Sequence, residues 1–164
     1  MKRPVLGRIK TSRLTLTRPA RSRAVPRIDP FSPLGRDGFR EAVISRSGGK
    51  CVLCKAPASE AHHILDRRLW TDGTYGLMLG NGAAVCNPCH LQCEMTTISV
   101  EQVRIAADIL EFPLPSCLVS KRTYDKWGNQ VMADGTRRWG PLRDEGVERV
   151  LQRGGVMGLF PTTN

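Results

Sequence analysis

Two Cys-x-x-Cys pairs, Cys51 with Cys54 and Cys86 with Cys89, constrain this chain more than any other feature, because the 31 residues between them must fold back for the four thiols to meet. Thiolate and neutral imidazole are the side chains that bind zinc and similar ions best. The same stretch holds every histidine of the protein: His62, His63 and His90. Two residues between thiols allow a sharp turn that aims both sulfurs at one tetrahedral ion. The competing reading is a disulfide framework, which belongs to exported chains. Residues 1–23 lack the continuous apolar stretch of a signal peptide, and no apolar run approaches membrane-spanning length. The expectation is a structural Zn²⁺ on Cys51, Cys54, Cys86 and Cys89, in a cytoplasmic protein without membrane association. Cys93 and Cys117 stand outside the pairs and read as small buried hydrophobes.

Charge is unevenly placed. Of the formal net +10, residues 1–36 carry ten basic side chains against Asp29 alone, leaving fifteen basic and fourteen acidic residues for the rest. Arg13, Arg18, Arg21 and Arg23 lie there among prolines and hydroxyl residues. Such a stretch is expected to be a disordered arm that neutralises nucleic-acid phosphates and releases counterions. A merely solvated tail and an Arg-rich transit peptide are the alternatives. A short strand over residues 9–18 on docking fits the alternation of Leu14 and Leu16.

The 164 residues, 40% hydrophobic but only 5% aromatic, suit one domain with a modest core that a metal staple would strengthen. Periodicity predicts a helix over 38–46 with Phe39, Ala42 and Val43 on one face and a stop at Gly48-Gly49. A strand over 61–65 follows, then a turn at Asn81-Gly82 and a second strand over 83–85. Asn87 suits a helix N-cap and Pro88 the first helical position. That places Cys89 and His90 in the first turn and Glu94 one turn on, on the same face. Ser99 and Gln102 have capping-box form, opening a helix striped by Val103, Ala106, Ala107 and Leu110 and ended by Pro113. Asp134-Gly135 predicts a hairpin, against which Trp127 and Trp139 wedge, base stacking being their other use. Residues 147–151 form a last turn or two of helix.

Neighbouring residues of a strand point to opposite faces, so His62 and His63 cannot both serve one ion. A division of labour follows: one imidazole binds metal, and the other, with a pKa near about 6.5, takes a proton from water. Cys86-x-x-Cys89-His90 also has the form of a c-type haem attachment motif. That use requires export and leaves Cys51, Cys54 and the paired histidines without a role.

Cys51-x-x-Cys54, Ala61-His62-His63-Ile64, Asn81-Gly82 and Cys86-x-x-Cys89-His90, taken together, resemble the HNH endonuclease family in its zinc-containing ββα-metal branch, over roughly residues 39–98. The resemblance implies an α+β fold with a small ββα-metal, treble-clef-like, zinc-stapled core over residues 37–111. The basic arm (1–36) would precede it and a β-hairpin extension of unassigned role (112–164) would follow. It implies His63 as the general base and Asn81 as the residue that orients it. His62 and His90 would be ligands of a catalytic Mg²⁺ or Mn²⁺. Glu94 stands where some members have His or Asn, which makes it a candidate third ligand. Arg67 and Arg68 follow the histidine strand and could clamp a phosphate, or form a solvated loop. The expected activity is hydrolysis of DNA phosphodiesters to 5′-phosphate and 3′-hydroxyl ends, in a bacterial or phage-infected cell. RNA is an alternative substrate, and the protein would be a monomer or homodimer. The competing function is a non-catalytic treble-clef zinc-finger module that binds nucleic acid.

Overall fold

Phe39 and Val43, one helical turn apart, are the buried positions of helix α1 (Arg36–Arg46). The helix ends at Gly48 and Gly49, both at positive φ, where a residue without Cβ meets no penalty. The apolar face of α1 covers one side of a hairpin built from β1 (Glu60–His63) and β2 (Gly82–Val85), paired antiparallel with His62 opposite Ala83 and His63 opposite Gly82. A Cβ at Gly82 would collide with Val43 and Phe39, so only glycine lets α1 sit this close. The other side of the hairpin receives α2 (Asn87–Glu94) and α3 (Val100–Ala106), with Ile64, Leu65, Val85, Cys93 and Val103 in the main core. This computed structural model describes residues 28–161, an α+β arrangement of four helices and two small antiparallel sheets. The expected arm residues Arg13, Arg18, Arg21 and Arg23, and the strand over 9–18, lie outside the described residues. Among those described, no helix is long and apolar enough to cross a membrane. Residues 28–35 are bound to the body: Pro30 accepts from Gly80 N, and Leu34 N donates to Leu77 O.

Several elements differ from expectation for local reasons. Asn81-Gly82 is not a hairpin turn; Asn81 closes a 3₁₀ turn (Leu79–Asn81) and Gly82 opens β2, leaving a long connection from β1. Cys86, not Asn87, is the N-cap of α2. The Asn87 side chain instead accepts from Ser59 Oγ at 2.8 Å. Helix α3 has the capping box on Ser99 and Gln102 but stops at Ala106. Asp108 adopts φ +53°, and Ile109 N bonds back to Arg104 O, a left-handed cap that turns Ile109 inward and leaves Leu110 87% exposed. Cys93 is buried, whereas Cys117 is exposed.

The C-terminal segment forms a three-stranded sheet, β3 (Thr123–Tyr124), β4 (Gln130–Val131) and β5 (Arg137–Arg138), followed by α4 (Glu145–Arg153). Its turn is organised by buried Asp125, whose Oδ1 accepts from Trp127 N and Asn129 N. Asp125 Oδ2 accepts from Arg137, which also donates to Thr96 and so docks this sheet on the residues just after α2. Trp127 is buried with its Nε1 donating to Glu94 O at 3.0 Å, and Trp139 stacks on Phe160 with ring centroids 4.0 Å apart. The segment is therefore packed directly against α2.

Candidate metal centre

Cys51 and Cys54 flank a tight turn: Cys51 N donates to Ala56 O, Lys55 N donates back to Cys51 O, and Lys55 takes φ +66°. Cys86 caps α2 and Cys89 lies in its first turn. Val52 N bonds to Ala84 O and Ser59 N to Val85 O, joining the turn to β2. All four sulfurs consequently lie within 4.8 Å of one another, with Cys54 and Cys86 Sγ 3.5 Å apart, and all four are free thiols. A tetrahedral zinc with bonds near 2.3 Å sets its sulfurs about 3.8 Å apart, so the group could hold a zinc ion as it stands. Burial works against ionisation of Cys51, but the amides of Cys54, Cys86 and Leu53 outweigh it and bring the thiol to about 6. Burial, and then its three sulfur neighbours, push Cys89 far up. Four crowded sulfurs cannot all ionise alone, and a divalent ion supplies the charge that would let them.

A second group is built where β1 meets α2. His62 is 2% exposed on the α2 side of the hairpin, and its ring lies 5.0 Å from that of His90 in an edge-on arrangement. Glu94 Oε1 is 3.1 Å from His90 Nε2 and 3.5 Å from His62 Nδ1. Ligand atoms of the three residues fall within 4.8 Å of one another. Burial and then Lys126 lower the His62 pKa to about 3, so its ring is neutral and able to donate a lone pair. Burial opposes ionisation of Glu94, but His62, His90 and Lys126 overcome it and hold the carboxyl far below its usual range.

His63 faces the other way. Its ring stacks on Phe39 at 4.7 Å and lines a cavity of about 250 Å³ with Arg36, Arg40, Arg67 and Tyr75. Its Nε2 is buried and has no hydrogen-bond partner among the described residues. Burial first, then Lys126, bring its pKa down to about 4, leaving it neutral at pH 7. The expected separation of the two imidazoles by strand alternation is what the hairpin produces.

Asn81, wholly buried, fixes the loop behind both histidines. Its Oδ1 accepts from Leu65 N at 2.9 Å, and its Nδ2 donates to Leu65 O and Gly76 O at 3.1 Å each. Ile64 N bonds to Asn81 O, closing the end of β1 onto the same residue. Asn81→Ala strands all three partners of the side chain in the interior. A loss of about 3 kcal/mol is expected in urea unfolding, and a change under about 1 kcal/mol would count against this role.

No family model, curated protein or solved structure matches the chain. What the arrangement can do follows from its own donors. Of the two arginines expected to clamp phosphate, Arg67 lines the His63 cavity. Arg68 instead pairs with Asp66 at 3.0 Å and with Asp144, the N-cap of α4, at 2.8 Å. The two arginines thus lie apart, Arg67 at the cavity wall and Arg68 in an ion pair with the cap of α4.

Sequence reasoning missed Lys126. It is 5% exposed, and its Nζ lies 3.1 Å from Glu94 Oε1 and donates to His63 O at 2.9 Å. Asp66 Oδ2 is 4.0 Å away. No sequence signal marked it, since a lysine in the turn Asp125-Lys126-Trp127-Gly128-Asn129 reads as solvated, yet every residue of that turn is buried.

Proposed function

We propose that this protein is a metal-dependent endonuclease of HNH type, hydrolysing DNA phosphodiester bonds around a treble-clef-like core stapled by zinc. The observation that carries the reading is the convergence of His62, His90 and Glu94 on one side of β1, with His63 presented to an arginine-lined cavity on the other. A divalent ion, Mg²⁺ or Mn²⁺, on that triad would neutralise charge at the phosphate and at the departing 3′-oxygen. His62 would present a neutral imidazole nitrogen to it, His90 a second imidazole nitrogen and Glu94 an ionised oxygen, a mixed set compatible with such ions. His63, neutral at pH 7 and with its ring lining the cavity, accepts the proton of the attacking water. Asn81 keeps the strand end and the following loop in register, so that the base does not drift. Arg36, Arg40 and Arg67 give the cavity its positive wall for the phosphodiester backbone. A pure binding module needs only the four sulfurs. A half-buried carboxylate held among two imidazoles and a buried ammonium is costly to assemble and gives such a module nothing.

The test is a cutting assay on supercoiled plasmid with full-length, zinc-loaded protein across several divalent ions. Nicked circles with Mg²⁺ or Mn²⁺ are expected, and intact plasmid in every ion would refute the reading. The two arginines separate under the same assay. Arg67→Ala should lower the log–log salt slope of DNA binding by about 1. Arg68→Ala should leave the slope alone and cost under about 1 kcal/mol of stability, since its side chain is 45% exposed. Equal slopes for the two variants would remove Arg67 from the interface.

A further inference from the structure

Lysine is rarely buried unless it is paired, and Lys126 is buried on three oxygens belonging to three different segments. Glu94 comes from α2, the His63 carbonyl from β1, and Asp66 from the loop that follows β1. The Asp66 amide also donates to the Lys126 carbonyl at 2.9 Å, so the main chains are joined as well. The turn that carries Lys126 is rigid, held by Asp125 to Trp127 and Asn129, and its Trp127 ring bonds the Glu94 carbonyl. Both the side chain and the main chain of Glu94 are therefore gripped by consecutive residues of the C-terminal segment.

We propose that Lys126 is a positioning residue of the His62, His90 and Glu94 centre, tying α2 to β1 through its ammonium, so that the C-terminal segment completes the site. This rests on the reading of those three side chains as ion ligands. Lys126 is too deeply buried to meet substrate itself. Its charge has two opposite consequences. It holds Glu94 Oε1 in place beside both imidazoles, which orients the ligand set. It also sets a positive charge 3.1 Å from a ligand oxygen, which repels a second cation. Binding strength and cutting rate should therefore move in opposite directions when the ammonium is removed, an outcome that simple loss of structure does not produce.

The experiment uses the full-length, zinc-loaded protein and its Lys126→Met and Lys126→Gln variants, with folding checked by near-UV circular dichroism and zinc content. Mn²⁺ binding is read by electron paramagnetic resonance, and single-turnover cutting at saturating Mn²⁺ is read separately. Relief of the repulsion should tighten Mn²⁺ binding by about tenfold or more. Loss of orientation should slow cutting by about tenfold or more. Lys126→Arg, which keeps the charge, should bind Mn²⁺ as the wild type does. Whichever of the two neutral variants folds is sufficient. Tighter binding without slower cutting, weaker binding, or no change in either overturns the assignment. Wild-type protein that binds no Mn²⁺ overturns the ligand reading first, and the role of Lys126 with it. Wild-type binding with unaltered variants overturns Lys126 alone.

Discussion

Stripping zinc with a strong chelator, or replacing Cys86 with serine, is expected to unfold residues 28–161 rather than loosen one corner. The four sulfurs join the turn at Cys51 and Cys54 to the junction of β2 and α2, which otherwise share little beyond the main-chain bonds from Val52 to Ala84 and from Ser59 to Val85. The hairpin they pin has only four residues in each strand, and a two-stranded sheet of that size is at best marginal alone. Helix α2 has just eight residues, below the length that sustains an isolated helix. Structural zinc contributes roughly 10–16 kcal/mol in small zinc domains, and even half of that rivals the whole stability of about 5–15 kcal/mol typical of a domain. Cys86→Ser also alters the residue that opens α2. Thermal unfolding by circular dichroism should show loss of the cooperative transition, together with loss of bound zinc. Acid should do the same, because bound thiolates must give up the metal as protons compete for them. Retention of the native transition after zinc has been removed would reduce the tetrad to ordinary packing.

The parts of this molecule legible in its sequence are those decided within a few residues. The two cysteine pairs, the Ser99 capping box, and the one-turn spacing of His90 and Glu94 are local patterns, and the chain folds them as they read. Alternation alone separated His62 from His63. Local pattern failed where a distant partner decided the outcome. Arg67 and Arg68 are indistinguishable in sequence, yet Asp144 claims only the second. Leu110 continued an apolar stripe, but the left-handed Asp108 had already ended the helix. Cys117, a lone thiol with no periodic context, carried no sign of its exposure. Lys126 is the clearest case: it meets His63 across 63 positions of chain, and a single lysine in a turn reads as solvated. Its burial depends on a sheet whose strands are two residues long, too short to leave a periodic trace.

His63→Ala should lower the rate of DNA cutting by about 10²–10⁴-fold while leaving zinc content intact. The ring is only half-buried, and what it loses structurally is its stack on Phe39 at 4.7 Å, so stability should fall by about 1 kcal/mol. The informative comparison is His62→Ala, which removes a proposed ion ligand from the opposite face of the same strand. That variant should need far more Mn²⁺ and recover part of its rate when the ion is raised. The His63 variant should not recover at any concentration, because no added ion replaces a proton acceptor. The pH profile gives an independent reading. With its pKa lowered to about 4, His63 is neutral above that pH and protonated below it. Cutting should therefore be nearly flat from about pH 6 to 8 and collapse only in acid, when the base is filled. A rate still climbing tenfold per unit between pH 6 and 8, or rescue of His63→Ala by excess Mn²⁺, would place the proton acceptor on another group. The first outcome would point to a water bound at the triad, and the second would make His63 a ligand rather than a base.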